Sequence, residues 1–65
     1  VSKVLWTAND KTGMPRAYAK GPIEKDVAVM ARCQSELSKY IREKRAIGEE
    51  LTRCDFSLRR EVCDE

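Results

Sequence analysis

The side chains best suited to covalent or metal chemistry in this chain are Cys33, Cys54 and Cys63. Their spacing argues against both. Structural zinc sites draw on cysteine pairs a few residues apart, whereas here the separations are 21 and 9 residues. The chain contains no histidine, so the commonest acid–base group at neutral pH and the commonest metal ligand are missing. No glycine-rich phosphate loop is present. A cysteine nucleophile needs a positive, shaped pocket, which a short chain rarely builds. The expectation is a protein with no catalytic residues, no cofactor and no metal. Small secreted scaffolds usually carry an even, dense set of cysteines. An odd set of three points instead to a reducing compartment, hence a cytoplasmic protein, with the disulfide question left open.

Recognition chemistry is better represented. Trp6, Arg16 and Tyr18, with Lys11 in the turn between them, combine aromatics with a guanidinium, the composition of interaction hot spots. Further along, Arg32, Lys39, Arg42, Arg45, Arg53 and Arg60 fall on one side of a helical wheel. Arginine is the preferred residue for phosphate and carboxylate, so this stripe and the hairpin residues are the candidate nucleic-acid contacts. The competing reading is a solvated helix face laced with four-residue pairs such as Arg32 with Glu36. Residues 22–65 carry nearly balanced charge, and the whole chain has 13 basic against 11 acidic residues. Dense phosphate neutralisation is therefore not implied.

These residues need elements to hold them. Lys3 to Ala8 is rich in β-formers, Asn9 to Gly13 is a turn cluster, and Met14 to Lys20 reads as a return strand. Pairing symmetric about Lys11 sets Trp6 opposite Arg16 and Val4 opposite Tyr18, on one face. Pro15 marks an edge position. Gly21 and Pro22 punctuate the join, with Pro22 favoured at a first helical position and Glu24 and Asp26 suited to the positive end of a helix. From there to Val62 the sequence has no proline and only Gly48 as a glycine, which reads as helix.

Within that segment Met30, Cys33, Leu37, Tyr40, Lys44, Ile47, Leu51, Cys54 and Leu58 recur at alternating steps of three and four. A strict heptad favours supercoiled packing on a partner helix. Lys44 at a core position would fix register or partner, or carry its ammonium out to water on its long stem. The flanks give a homodimer little electrostatic help, because Glu36, Glu43 and Glu50 would meet Ile41, Gly48 and Asp55. Gly48 competes with this reading, because glycine commonly sits just past a helix end. A helical hairpin about Gly48 would bring Cys33 towards Cys63.

Over residues 4–40 the order of hairpin, turn Gly13, Gly21 and helix resembles in outline the arm-type DNA-binding module of tyrosine recombinases and HicB-type antitoxin domains. A third strand is missing from the sequence as read, and no function, site or partner is carried over from that outline.

The expected architecture is a small α+β fold forming one domain over 1–65. A β-hairpin spans 1–21, an amphipathic helix with coiled-coil-like heptads spans 22–62, either continuous or bent or broken at Gly48, and a tail covers 63–65. A chain of this size buries only about 60% of its unfolded surface. No apolar run approaches the roughly 20 residues of a membrane span, and no leader segment is read. The expected function is a non-enzymatic protein–protein interaction module, a regulator or inhibitor of the kind mobile elements and phages encode. It would occupy a partner's surface, or form an oligomer, through Met30, Leu37, Tyr40, Ile41, Lys44, Ile47, Leu51 and Leu58. The alternative is a small nucleic-acid-binding regulator. No membrane partner is expected.

Overall fold

The computed structural model describes residues 2–64. Strands β1 (Ser2–Asn9) and β2 (Pro15–Pro22) form a hairpin. A 3-10 turn (Ile23–Lys25), helix α1 (Asp26–Ala46), a second 3-10 turn (Arg53–Asp55) and strand β3 (Ser57–Asp64) follow. The three strands make one antiparallel sheet in the order β2-β1-β3, with β1 in the centre. The fold is α+β, a three-stranded sheet under one long helix.

The hairpin is present, but its register differs from symmetric pairing. Trp6 lies opposite Ala19 and Val4 opposite Gly21. The cause is the turn. The Asp10 amide donates to the Met14 carbonyl at 2.9 Å and the Gly13 amide to the Asp10 carbonyl at 3.0 Å. Gly13 sits at φ 86°, a left-handed conformation that glycine adopts without strain. The register also shifts between Ala8 and Asn9, leaving Arg16 as the extra residue of a bulge. An odd slip moves every side chain of a strand to the other face. Tyr18 therefore leaves the face of Val4 and Trp6, and Ala17 and Ala19 join it.

That exchange lets the helix dock. Ala8, Ala17 and Ala19 are buried with Val4 under Val29, Cys33, Leu37 and Ile41 of α1. Small side chains on β2 allow close approach, and Gly21 is the closest point. A Cβ built there would lie 2.7 Å from Cγ2 of Val29, a stiff β-branched side chain. Gly21→Ala is expected to cost about 1–3 kcal/mol of stability, read from the urea midpoint. A midpoint unchanged from wild type would show that α1 can shift away from β2.

The helix ends at Ala46, so the segment 47–62 does not continue it as the sequence suggested and holds only the 3-10 turn at Arg53–Asp55 and most of β3. The Gly48 amide donates to the Arg45 carbonyl at 3.1 Å and the Glu49 amide to the Lys44 carbonyl at 3.0 Å. With Gly48 at φ 95°, these two bonds are the Schellman termination that satisfies the last carbonyls of a helix. The chain then turns through Thr52, whose amide donates to Oδ2 of Asp55 at 2.9 Å. It runs back as β3 along β1, so Cys63 and Asp64 belong to a strand and not to a tail. Val1 and Glu65 lie outside the described residues. The nine heptad positions accordingly do not form one stripe. Met30, Cys33, Leu37, Tyr40 and Lys44 lie on α1, while Ile47, Leu51 and Cys54 lie in the connection and Leu58 in β3.

Candidate interaction surface

One helix covers only part of a three-stranded sheet. The buried strand residues are Val4 and Ala8 on β1 and Ala17 and Ala19 on β2, and none is on β3. Pairing of Val4 with Val62, Trp6 with Arg60 and Ala8 with Leu58 puts these three β3 residues on the helix side of the sheet. Leu58 is nonetheless 39% exposed and Val62 47%. The result is two partly uncovered apolar side chains, Leu58 and Val62, on either side of Arg60, on an edge strand whose outer side no described element pairs.

Asp26, the first residue of α1, pins this half of the sheet. Trp6 Nε1 donates to its Oδ1 at 2.6 Å, and Arg60 Nε donates to its Oδ2 at 3.2 Å. One carboxylate therefore joins the helix start to the central strand and to β3. Charge-assisted bonds of this kind are stronger than neutral ones.

The opposite side of the sheet has no helix. Alternation from Val4 and Ala8 sends Lys3, Leu5 and Thr7 to this open face. Lys20 and Glu61 flank Leu5, while Tyr18 and Arg59 flank Thr7. Tyr18 is 72% exposed. Among the described residues this face carries Lys3, Lys20 and Arg59 together with Glu61.

At the hairpin tip Asp10 organises the turn. Its carboxylate accepts from the Thr12 hydroxyl at 2.6 Å, from Arg16 Nε at 2.9 Å, and from the Met14 and Thr12 amides at 3.0 and 2.9 Å. The Thr12 hydroxyl and then the Arg16 guanidinium do most to hold this carboxyl far below the usual carboxylate range. A depressed folded pKa stabilises the native state at neutral pH. That contribution persists until the pH falls below the ordinary value, and it is lost as the pH passes through the depressed one. An NMR titration of side-chain carboxyls should find Asp10 still ionised at about pH 3, where unperturbed aspartates are largely protonated. Protonation of Asp10 near pH 4 would show that the turn opens in solution. The adjacent Asp55 carboxyl is also lowered, chiefly by the Thr52 amide and then by Lys11, whose Nζ lies 3.2 Å away.

The residues singled out from sequence are dispersed. Leu37 and Ile41 are core residues beneath the sheet, while Met30, Tyr40, Lys44 and Leu51 are half-buried. Tyr40 meets Phe56 edge-on at 5.9 Å, and Lys44 Nζ lies 5.6 Å from the Tyr40 ring. Ile47 is 71% exposed at the helix end. Several candidate recognition cations are engaged within the fold. Lys11 pairs with Asp55, and Arg16 with Asp10. Arg45 Nε donates to the Leu51 carbonyl at 2.9 Å, and Arg53 Nη2 to the Ser38 hydroxyl at 2.6 Å.

Arg32, Lys39 and Arg42 remain exposed on α1. The basic stripe thus breaks up, because Arg53 and Arg60 are not on the helix. A groove of about 460 Å³ between α1 and the β2 edge brings Arg16, Arg32 and Lys39 together with Glu36, Glu43 and Tyr40. Its alternating charges, with Lys39 Nζ 3.9 Å from Glu36, do not make an anion site. Cys33, Cys54 and Cys63 are free thiols. Burial raises the Cys33 thiol pKa, which keeps it protonated and unreactive.

Sequence reasoning did not find Val62, nor Lys3, Thr7, Lys20 and Arg59 on the open face. The available signal was the alternation of Leu58, Arg60 and Val62 at period two. No helix among the described residues is long and apolar enough to cross a membrane. Compared with known proteins, the chain matches no family model, no curated protein and no solved structure.

Proposed function

We propose that this protein is a non-enzymatic protein–protein interaction module, a small regulator or inhibitor that acts by occupying a partner's surface. The observation that carries the reading is the bare side of β3, where Leu58 and Val62 stand exposed on an unpaired strand edge. Exposed apolar side chains beside open backbone donors and acceptors favour docking of another chain. The docking surface moves with this reading from the helical seam to β3, because Leu37 and Ile41 are taken up by the protein's own core.

The test is substitution on that strand. Leu58→Asp and Val62→Asp should keep the far-ultraviolet circular dichroism of the wild type and lose association with protein, whether another copy or a different chain. Folded variants that associate as the wild type does would refute the reading.

A second reading has its own support. The open face places Tyr18, Thr7 and Arg59 in one row across the sheet, and β-strands read nucleic acid in other folds. If the protein binds nucleic acid in this way, affinity for a duplex should fall steeply with salt and drop with Arg59→Ala. Binding that is flat in salt, or absent at low salt, would sink it.

A further inference from the structure

We infer that the occupant of the β3 edge is a second copy of this chain, paired antiparallel to it about a two-fold axis at Arg60. The inference rests on the docking reading above and names its partner.

The first argument is the state of the two sheet edges. β2 is closed off by Pro15 and Pro22 and distorted by the bulge at Arg16, devices that blunt an edge. β3 has neither. It pairs with β1 without interruption from Ser57 to Asp64, contains no proline, and leaves an eight-residue edge open. Natural sheets pair such an edge or blunt it with charge, and the charges on β3 are ones that a second copy can complement.

The second argument is register. With Arg60 on the axis, Leu58 lies opposite Val62 of the other copy on the helix side, and Arg59 lies opposite Glu61 of the other copy on the open face. Each contact occurs twice, because a two-fold interface repeats itself. Apolar pairs and opposite-charge pairs are the favourable cross-strand combinations. A slip of two residues one way sets Arg59 against Arg59. A slip the other way sets Glu61 against Glu61 and Leu58 against Asp64. A slip of one residue turns the two copies' apolar side chains to opposite faces.

The axis itself carries two arginines, and each is already held by Asp26 of its own chain. The like charges on the axis are thus neutralised before the copies meet. The product is a continuous six-stranded sheet with both helices on one side. The two Leu58–Val62 pairs then lie on either side of the arginine pair, between the helices.

Sedimentation equilibrium over a concentration series tests this directly. The wild type should reach a dimer at about 100 µM, within the range of weak specific association. Arg59→Glu or Glu61→Arg alone should weaken the dimer by about tenfold, since two attractive pairs become repulsive. The double variant carrying both changes should return to within about threefold of wild type. These positions are on the surface, so circular dichroism will show the variants folded.

A wild type that stays monomeric at about 1 mM overturns the inference. So does a dimer that ignores the single reversals, or one that the double variant does not restore. The docking reading survives separately if a monomeric wild type binds a different protein and loses it with Val62→Asp. It falls together with the inference if neither association depends on β3.

Discussion

A chain carrying Leu37→Asp is expected not to fold. Leu37 is 4% exposed, packed in one cluster with Val4, Ala17, Val29 and Cys33, and a carboxylate there has no partner. Isolated buried charge is among the costliest single changes a core can receive. Even Leu37→Ala should remove about 2–5 kcal/mol. The whole domain has only about 3–10 kcal/mol to lose, at the usual stability per residue. Urea unfolding followed at Trp6, the single tryptophan, measures both. A folded Leu37→Asp protein that had merely lost a partner would restore the helical seam as an interface and remove it from the core. Leu58→Asp makes the sharp comparison, since the same change on β3 adds a charge where water already reaches.

Asp26→Ala should be the most damaging change at a polar side chain. It strands the indole N–H of Trp6 and frees Arg60, both of which end on this carboxylate. Leaving a part-buried donor unsatisfied costs about 1–3 kcal/mol. Asp26→Asn keeps an acceptor for Trp6 and gives up the charge facing Arg60, so it should lose roughly half as much. Thermal unfolding ranks the two variants, and Trp6 emission reports whether the indole has become wetter. Equal losses for alanine and asparagine would place the whole effect in the Arg60 pair. No loss in either would show that the helix start is held by packing alone.

The hairpin, the helix over Asp26–Ala46, and the α+β class were legible because each rests on local chemistry. Turn residues sit between two β-rich runs, and a stretch of good helix formers follows Pro22. The register was not legible. It depends on how Asp10 folds four hydrogen bonds around its carboxylate, which a symmetric pairing rule does not contain. The third strand was hidden for a different reason. Residues 49–62 contain no glycine or proline and keep the heptad phase, so helical spacing fits Leu51, Cys54 and Leu58 as well as alternation fits Leu58, Arg60 and Val62. Periodicity cannot decide such a case when tertiary pairing with β1 does. The heptad seam also misdescribes what the helix covers, because its buried residues follow steps of four from Val29 to Ile41, while Val27 and Ile47 at its two ends stay exposed.

The way β3 joins the sheet also bears on how the molecule assembles. Ser2 and Asp64 meet although they stand 62 positions apart in the chain, whereas the hairpin and α1 are built from neighbours. Local elements form in microseconds, but the pairing of β3 closes the longest loop in the molecule. Seven of its eight residues are exposed, against none in β1. It should therefore be the last element to join and the first to detach in a partial opening, with its amides exchanging fastest of the three strands. Any chain that caps its outer edge binds only the closed form and draws the equilibrium towards it. Where that chain is a second copy, stability depends on protein concentration, and the least secure strand becomes the one through which crowding by its own kind completes the fold.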